Sequence, residues 1–348
     1  MDKSKAALAL VCIVSVAGIA TALGTWLYID SQKLRVGYIT GDVNHAALIY
    51  AKANDMYYDT GLDLKFTAFS SEQAIMDALD AGQLDIALVG LAPAVVYNQV
   101  RGTGITVLAA ASVNGSAIVV RNDTGINSIG DLVNKTIAIP VAGLTQDLLL
   151  HAMLNGSSVK YGGPGNTTDD VNVVINNTQG MLTSLNKSRI DALVSWECIA
   201  AIAVHEPDHG RFGYSGKYLA NSSETWPNHP DSVVVARTAL LGQPALVNAI
   251  TRFLHVHVVA TNAINIRKVE DPRTSAFYVT MEREMGISEG ALIRGLRNTG
   301  FAYQPSIPLV RAFVGNMSAF GLIDPIPDLD GFLASFYNTT LLSQALLL

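Results

Sequence analysis

Cysteine is nearly absent from the chain: Cys12 sits in an apolar run near the N-terminus and Cys198 follows Trp196 and Glu197 far away. No intramolecular disulfide is expected, so an exported fold must rest on its core, which 348 residues are enough to build. Charge is scarce too. Charged residues make up 15% of the chain and the net charge is −6, which leaves no basic surface to attract a phosphate backbone and excludes nucleic acid as a partner. There is no G-x-S-x-G elbow, no P-loop and no G-x-G-x-x-G after a strand, and the GGPG at Gly162 to Gly165 falls in a polar loop.

One catalytic signature is present in letters. His205 to His209 reads HEPDH, the H-E-x-x-H pattern of zinc proteases, which needs both histidines one turn apart on an intact helix. Pro207 removes a helical donor and Gly210 follows as a stop signal, so the motif reads as a helix end with surface histidines. His255 and His257 are two apart on a helix and point in different directions. Cys198 reads as a small apolar residue packed at a helix start. No metal and no cofactor are expected.

Ala6 to Ile29, AALALVCIVSVAGIATALGTWLYI, is uncharged and meets the ~20 residues needed to cross a bilayer. Lys3 and Lys5 precede it, which keeps the N-terminus cytoplasmic. We read residues 1–30 as a transmembrane anchor holding the protein on the outer face of the cell membrane. Secretion after cleavage of a signal near Ala20 to Ala22 is the other reading. Cys12 lacks the small residue expected before a lipid-modified cysteine.

An outer-surface location also fits the N-x-S/T acceptor pattern, which begins at Asn114, Asn122, Asn134, Asn155, Asn166, Asn176, Asn186, Asn221, Asn316 and Asn338. With 21 Asn and 46 Ser or Thr among 348 residues, chance gives roughly three acceptors. The excess suggests a glycoprotein, against the alternative of loops simply rich in Asn, Ser and Thr.

Beyond the anchor, β-rich runs alternate with helical spacing. LRVGYIT leads to HAALIYAKAN, LDLKFTAF to SEQAIMDALDAG, and QLDIALVG to APAVVYNQV, the grammar of a parallel sheet. A second cycle opens at KTIAIPV and runs through TQDLLLHAML, VNVVI and TQGMLTSLNKS to RIDALVSW. LDAGQLD and LNKSRID occupy the same place in each cycle, so the chain looks like one α/β lobe repeated. NSSETWPNHPDSVVVA returns to a further strand, and the rest reads as helices packed on the first lobe.

Two such lobes bring strand C-terminal ends and helix N-termini together across a crevice, where α/β sheets bind ligands. The segments facing it are Thr40 to His45, Ser70 to Glu72, Gly90 to Pro93, Ala142 to Gln146 and Ser195 to Glu197.

From Leu34 to Leu254 the order of ALDAGQLDIALVGLAPAV, SIGDLVNKTIAIP, LNKSRIDALVSWECIA and HPDSVVVARTALL resembles the substrate-binding proteins of ABC importers for nitrate, taurine, aliphatic sulfonates and related solutes, the NMT1/THI5-like group. The resemblance implies a type II periplasmic-binding-protein-like fold, preceded here by the N-terminal transmembrane helix. Residues 34–121 with 230–348 then form lobe I and its C-terminal helices, and 122–229 form lobe II. It implies hinge closure through crossovers near Val119 to Thr124 and Leu219 to Asp231, and delivery of a small solute to a membrane permease driven by a cytoplasmic ATPase. Carried over, the ligand meets Gly41, Asp42, His45, Ser70, Ser71, Gly90, Leu91, Ala92, Leu144, Thr145, Gln146, Trp196 and Glu197. The resemblance implies a small anionic solute such as a sulfonate, taurine or a nitrate-like compound. The chain departs from the family pattern at Leu91 and Ala92, where a hydroxyl or acid is usual, and at Cys198, where proline is usual; with fewer side-chain donors, a less anionic or more apolar solute is the alternative. No enzymatic chemistry is expected. The competing readings are an enzyme on the same scaffold, as in pyrimidine-precursor chemistry, and a surface or sensory binding protein without a transport role.

Overall fold

A computed structural model describes residues 33–162, 170–205 and 216–348. Among these no helix is long and apolar enough to cross a membrane; the run Ala6 to Ile29 lies outside them.

The chain enters through β1 (Leu34–Ile39), a 3-10 turn (Val43–His45) and α1 (Ala46–Ala53), then β2 (Leu64–Phe69), α2 (Glu72–Asp80), β3 (Ile86–Gly90), α3 (Leu91–Arg101) and β4 (Ile105–Ala110). Local chemistry sets these boundaries. Ser71 accepts from the Ala74 N–H at 3.2 Å and starts α2, a cap worth about 1 kcal/mol. All five residues of β3 are buried, as expected of a central strand covered on both faces. β5 (Ser112–Asn114) then crosses to β6 (Ser116–Arg121), β7 (Lys135–Ile139), α4 (Thr145–Leu154), β8 (Tyr161–Gly162), β9 (Val171–Ile175), α5 (Thr178–Asn186), β10 (Ala192–Trp196), α6 (Ile199–His205), β11 (Gly216–Asn221) and α7 (Ser222–Thr225). β12 (Ser232–Arg237) returns to the first lobe. α8 (Pro244–Arg267), α9 (Ala276–Met285), α10 (Glu289–Asn298), β13 (Thr299–Phe301), α11 (Ile307–Ala319), α12 (Leu329–Phe336) and α13 (Thr340–Ala345) complete it.

The first sheet runs β2-β1-β3-β12-β4 and the second β11-β6-β10-β7-β9-β8. β1 is parallel to β2 and β3, and β7 to β9 and β10. In each sheet the strand arriving from the other lobe, β12 or β6, lies antiparallel to its neighbours. The C-terminal helices pack on the first lobe: Phe253, Leu254, Phe313 and Phe336 are buried with its strands.

The internal repeat extends further than the two heptapeptides. Asp85 accepts the Arg35 N–H at 2.9 Å and donates its own N–H to the Arg35 carbonyl at 2.8 Å. Asp191 does the same with Thr136, at 2.9 Å in both directions. Each incoming strand also ends in an arginine, Arg237 or Arg121, whose N–H donates to the carbonyl of that aspartate at 3.1 and 3.0 Å.

One boundary differs from expectation. β6 pairs in the second sheet, so the first crossover lies at Asn114 and Gly115, not at Val119 to Thr124. The alternating apolar run SAIVVR reads as a strand of either lobe. Only its partners, β10 and β11, assign it to the second.

Candidate functional site

Gly41 follows β1 with φ +82, a conformation that favours glycine. It turns the chain so that Asp42, 4% exposed, accepts the Asn44 N–H at 2.9 Å and caps the 3-10 turn. His45 is fully buried and its Nδ1 accepts the Ile39 N–H at 2.9 Å, so a neutral ring carries its proton on Nε2. After β2, Glu72 reaches sideways and its Oε1 accepts the Gly90 N–H at 2.6 Å. A Cβ at position 90 would stand 2.5 Å from that oxygen, so a larger residue there would push the Glu72 carboxyl aside. Asp231, 3% exposed, precedes β12; its carbonyl accepts the Leu91 N–H at 2.7 Å and its Oδ2 has no hydrogen-bond partner. Three carboxyl groups from three strand ends thus gather at one edge of the first sheet.

Between the lobes is a cavity of about 120 Å³, lined by Ser70, Ser71, Glu72 and Gln73 of the first lobe, so that Glu72 alone of the three reaches it. Pro140, Val141, Leu144, Gln146, Asn177, Thr178 and Trp196 line it from the second. Gln146 donates to the Ser116 hydroxyl at 3.3 Å, which fixes its amide. Thr145 opens α4 with its hydroxyl buried and without a partner. The lobes also touch away from the cavity: His151 of α4 stacks on Tyr161 and on Phe320, which follows α11, at 3.6 and 5.0 Å. Leu148 packs among first-lobe residues.

Of the residues expected from sequence, Ser70, Ser71, Leu144, Gln146 and Trp196 line the cavity. Gly41, Asp42, His45, Gly90 and Thr145 do not line it. Leu91 and Ala92 are fully buried in that lobe's core, and Leu91 has already given its N–H to Asp231. Glu197 stands at the joint between lobes, accepting from Tyr218 Oη at 3.2 Å and Asn298 Nδ2 at 2.5 Å. Sequence reasoning missed Asn177 and Thr178, which follow β9 as Ser71 and Glu72 follow β2, with Asn177 capping α5 as Ser71 caps α2. The repeat itself was the signal. It also missed Asp231, whose place beside Gly90 follows only from strand pairing.

Burial dominates the electrostatics. It pushes Asp42 and Asp231 above the usual carboxylate range, against the pull of His45 and Asn44 on the first. Burial, reinforced by the charge of Asp42, pushes Glu72 up to about 7. Glu197 also rises to about 7 because burial outweighs its hydrogen bonds. No lysine or arginine lines the cavity.

Reactive groups are committed elsewhere. Cys198 adopts φ +71 and sinks its thiol into the first-lobe core, where burial pushes it well up. Among the described residues no group of three or more His, Cys, Asp and Glu could hold a metal ion. In the HEPDH stretch, His205 belongs to α6. Glu206 to His209 lie outside the described residues, as do Gly163 to Gly165.

Residues 29–276 match the model of the NMT1-like family, and the chain belongs to that family. It is 26% identical over 247 residues, 71% of its own length and 68% of the relative's, to a Brucella abortus protein described as a candidate binding protein. Its fold is similar to the periplasmic nitrate-binding protein of Synechocystis, with a TM-score of 0.75 at 15% identity, covering 90% of this chain and 88% of that one. It is also similar to the ligand-binding component of an ABC-type import system from Staphylococcus aureus, solved with zinc bound, with a TM-score of 0.73 at 20% identity over 90% and 99%.

Proposed function

We propose that this NMT1-like protein is the extracytoplasmic solute-binding component of an ABC importer, capturing a small molecule between two lobes and delivering it to a permease driven by a cytoplasmic ATPase. The observation that carries the reading is the cavity between two repeated lobes, which are joined through crossover segments and β13. Closure around a solute requires that the solute bind the closed state better than the open one. Ser70, Ser71, Glu72 and Gln146 supply the polar contacts and Trp196 an aromatic wall; Gly41, Asp42, His45, Gly90 and Thr145 support them. Similarity to the binding proteins named above supports the assignment to import.

The run Ala6 to Ile29 tethers the protein to the membrane, with both lobes outside the cell. Glycosylation fits this placement: none of the nine described acceptor asparagines is buried. The Asn221 amide already donates to Glu224 at 2.9 Å and that of Asn176 to Ser184 at 3.2 Å. An enzyme on the same scaffold needs a reactive group in the cleft. Cys198 lies in the core and the His45 Nδ1 is held by β1.

Fluorescence of Trp196 during titration with small solutes tests the reading. Saturable quenching that disappears in Trp196→Phe supports capture in this cavity. Quenching that survives the substitution places the solute elsewhere and refutes it.

A further inference from the structure

We propose that the protein carries a second binding site, in a cavity beside the joint between the lobes, for a small uncharged molecule with an apolar body and a hydrogen-bond acceptor; this goes beyond solute capture and does not depend on it. The cavity holds about 320 Å³, against about 120 Å³ between the lobes. That is roughly twice the ~150 Å³ at which an apolar cavity admits benzene, so a single ring with a short substituent fits. Both connecting segments form its walls, through Ser112 and Val113 of β5 and Asn228 and Pro230 ahead of β12, together with the link between β13 and α11. Backbone hydrogen bonds tie these walls to one another. The Asn114 N–H donates to the His229 carbonyl at 3.0 Å, the Asp231 N–H to that of Ser112 at 3.2 Å, and the Ala110 N–H to that of Tyr303 at 2.9 Å. The space is thus built into the fold, as ligand pockets usually are.

Its lining selects against charge. Asn228, Gln304 and Ser306 are exposed and polar, Ala110, Val233 and Val310 are buried and apolar, and no lining residue is ionisable at neutral pH. A charged guest would give up its water and meet no counter-charge. An independent observation concerns Tyr337, which follows α12. The Asn338 N–H donates to the Val107 carbonyl of β4 at 2.9 Å and pins this stretch to the first sheet. Tyr337 lines the cavity, is 8% exposed, and its hydroxyl has no hydrogen-bond partner. Buried hydroxyls are ordinarily paired, and an unpaired one gains from an incoming partner. Burial also pushes the ionisation of this phenol up, so it keeps its proton and can donate to a carbonyl or amide oxygen. Ser232, also lining the cavity and buried, completes no hydrogen bond through its hydroxyl either, but that group favours the charged form of Asp231, so Tyr337 is the anchor.

The test titrates the full chain by calorimetry with benzamide, acetophenone and cyclohexanone, and with benzoate and benzylammonium as charged counterparts of similar shape. At least one neutral probe should bind saturably. Tyr337→Phe should weaken it roughly threefold to tenfold, as loss of a neutral hydrogen bond does, while the probe-free variant melts no lower than the parent, which a merely structural hydroxyl would not allow. Ala302→Phe, which fills the cavity, should abolish binding, and Trp196→Phe should leave it unchanged. Silence toward all three neutral probes overturns the proposal, as does binding that survives Ala302→Phe. Equal binding of benzoate or benzylammonium overturns the neutral class. Loss of binding in Trp196→Phe places the probe between the lobes and overturns the second site while leaving solute capture standing.

Discussion

Glu72→Gln should stabilise the solute-free protein, and the gain should depend on pH. The Glu72 carboxyl is held at about 7 in the fold against an ordinary value of 4.5, first by burial and then by the charge of Asp42. Because the folded value lies above the unfolded one, the fold favours the protonated acid. The stability associated with that proton is fully present below about pH 4.5 and is lost as pH rises through about 7. At ~1.36 kcal/mol per pH unit, ionised Glu72 costs up to about 3 kcal/mol at pH 8 and about 1 kcal/mol at pH 5. Glutamine removes that cost and its Oε1 can still accept the Gly90 N–H at 2.6 Å. Urea unfolding at pH 5 and pH 8, with the slope m checked for constancy, measures the difference. A Glu72→Gln protein less stable than the parent at pH 8, or equally stabilised at both pH values, refutes the reasoning.

Three further outcomes are expected. Asp85→Asn should cost about 3 kcal/mol at neutral pH. Burial pushes Asp85 up, but the Arg35 and Arg237 guanidinium groups at 2.7 and 2.8 Å outweigh it, so the parent loses this stability as pH falls through the lowered folded value; a pH-independent effect in urea melts counts against it. Glu197→Ala leaves Tyr218 Oη and Asn298 Nδ2 without their acceptor and should lower stability by roughly 2–4 kcal/mol; an unchanged melting temperature refutes its role as a strut between lobes. Cys198 should resist thiol reagents until global unfolding, because it is 0% exposed and its thiol is pushed up. Rapid labelling at Cys198, mapped by peptide mass, refutes the core placement.

Much of the fold was legible because its signals are local. Alternating strands and helices, Ser71 ahead of Glu72 and glycines at turns all act within a few residues. Even the repeat showed through LDAGQLD and LNKSRID, since both place an aspartate where a strand begins. The candidate site was legible in part. Ser70, Ser71, Leu144, Gln146 and Trp196 lie at strand ends, which the alternating pattern locates. Leu91 and Ala92 lie at such an end too, yet their side chains turn into the core, a direction set by helix packing. Asp231 sits in what reads as a linker, and only antiparallel pairing of β12 with β3 carries it beside Gly90.

The sequence by itself determined the class of the protein: a repeated α/β lobe, an apolar N-terminal run, few charges and no disulfide, all properties of composition and short-range periodicity. Tertiary structure alone decided which lobe β6 joins, that Glu197 braces the joint, and that Asp42, Glu72 and Asp231 share one edge without a lysine or arginine acting on them. Charges far apart in the chain acquire a common electrostatic meaning only when strand pairing brings them together and burial removes the water between them.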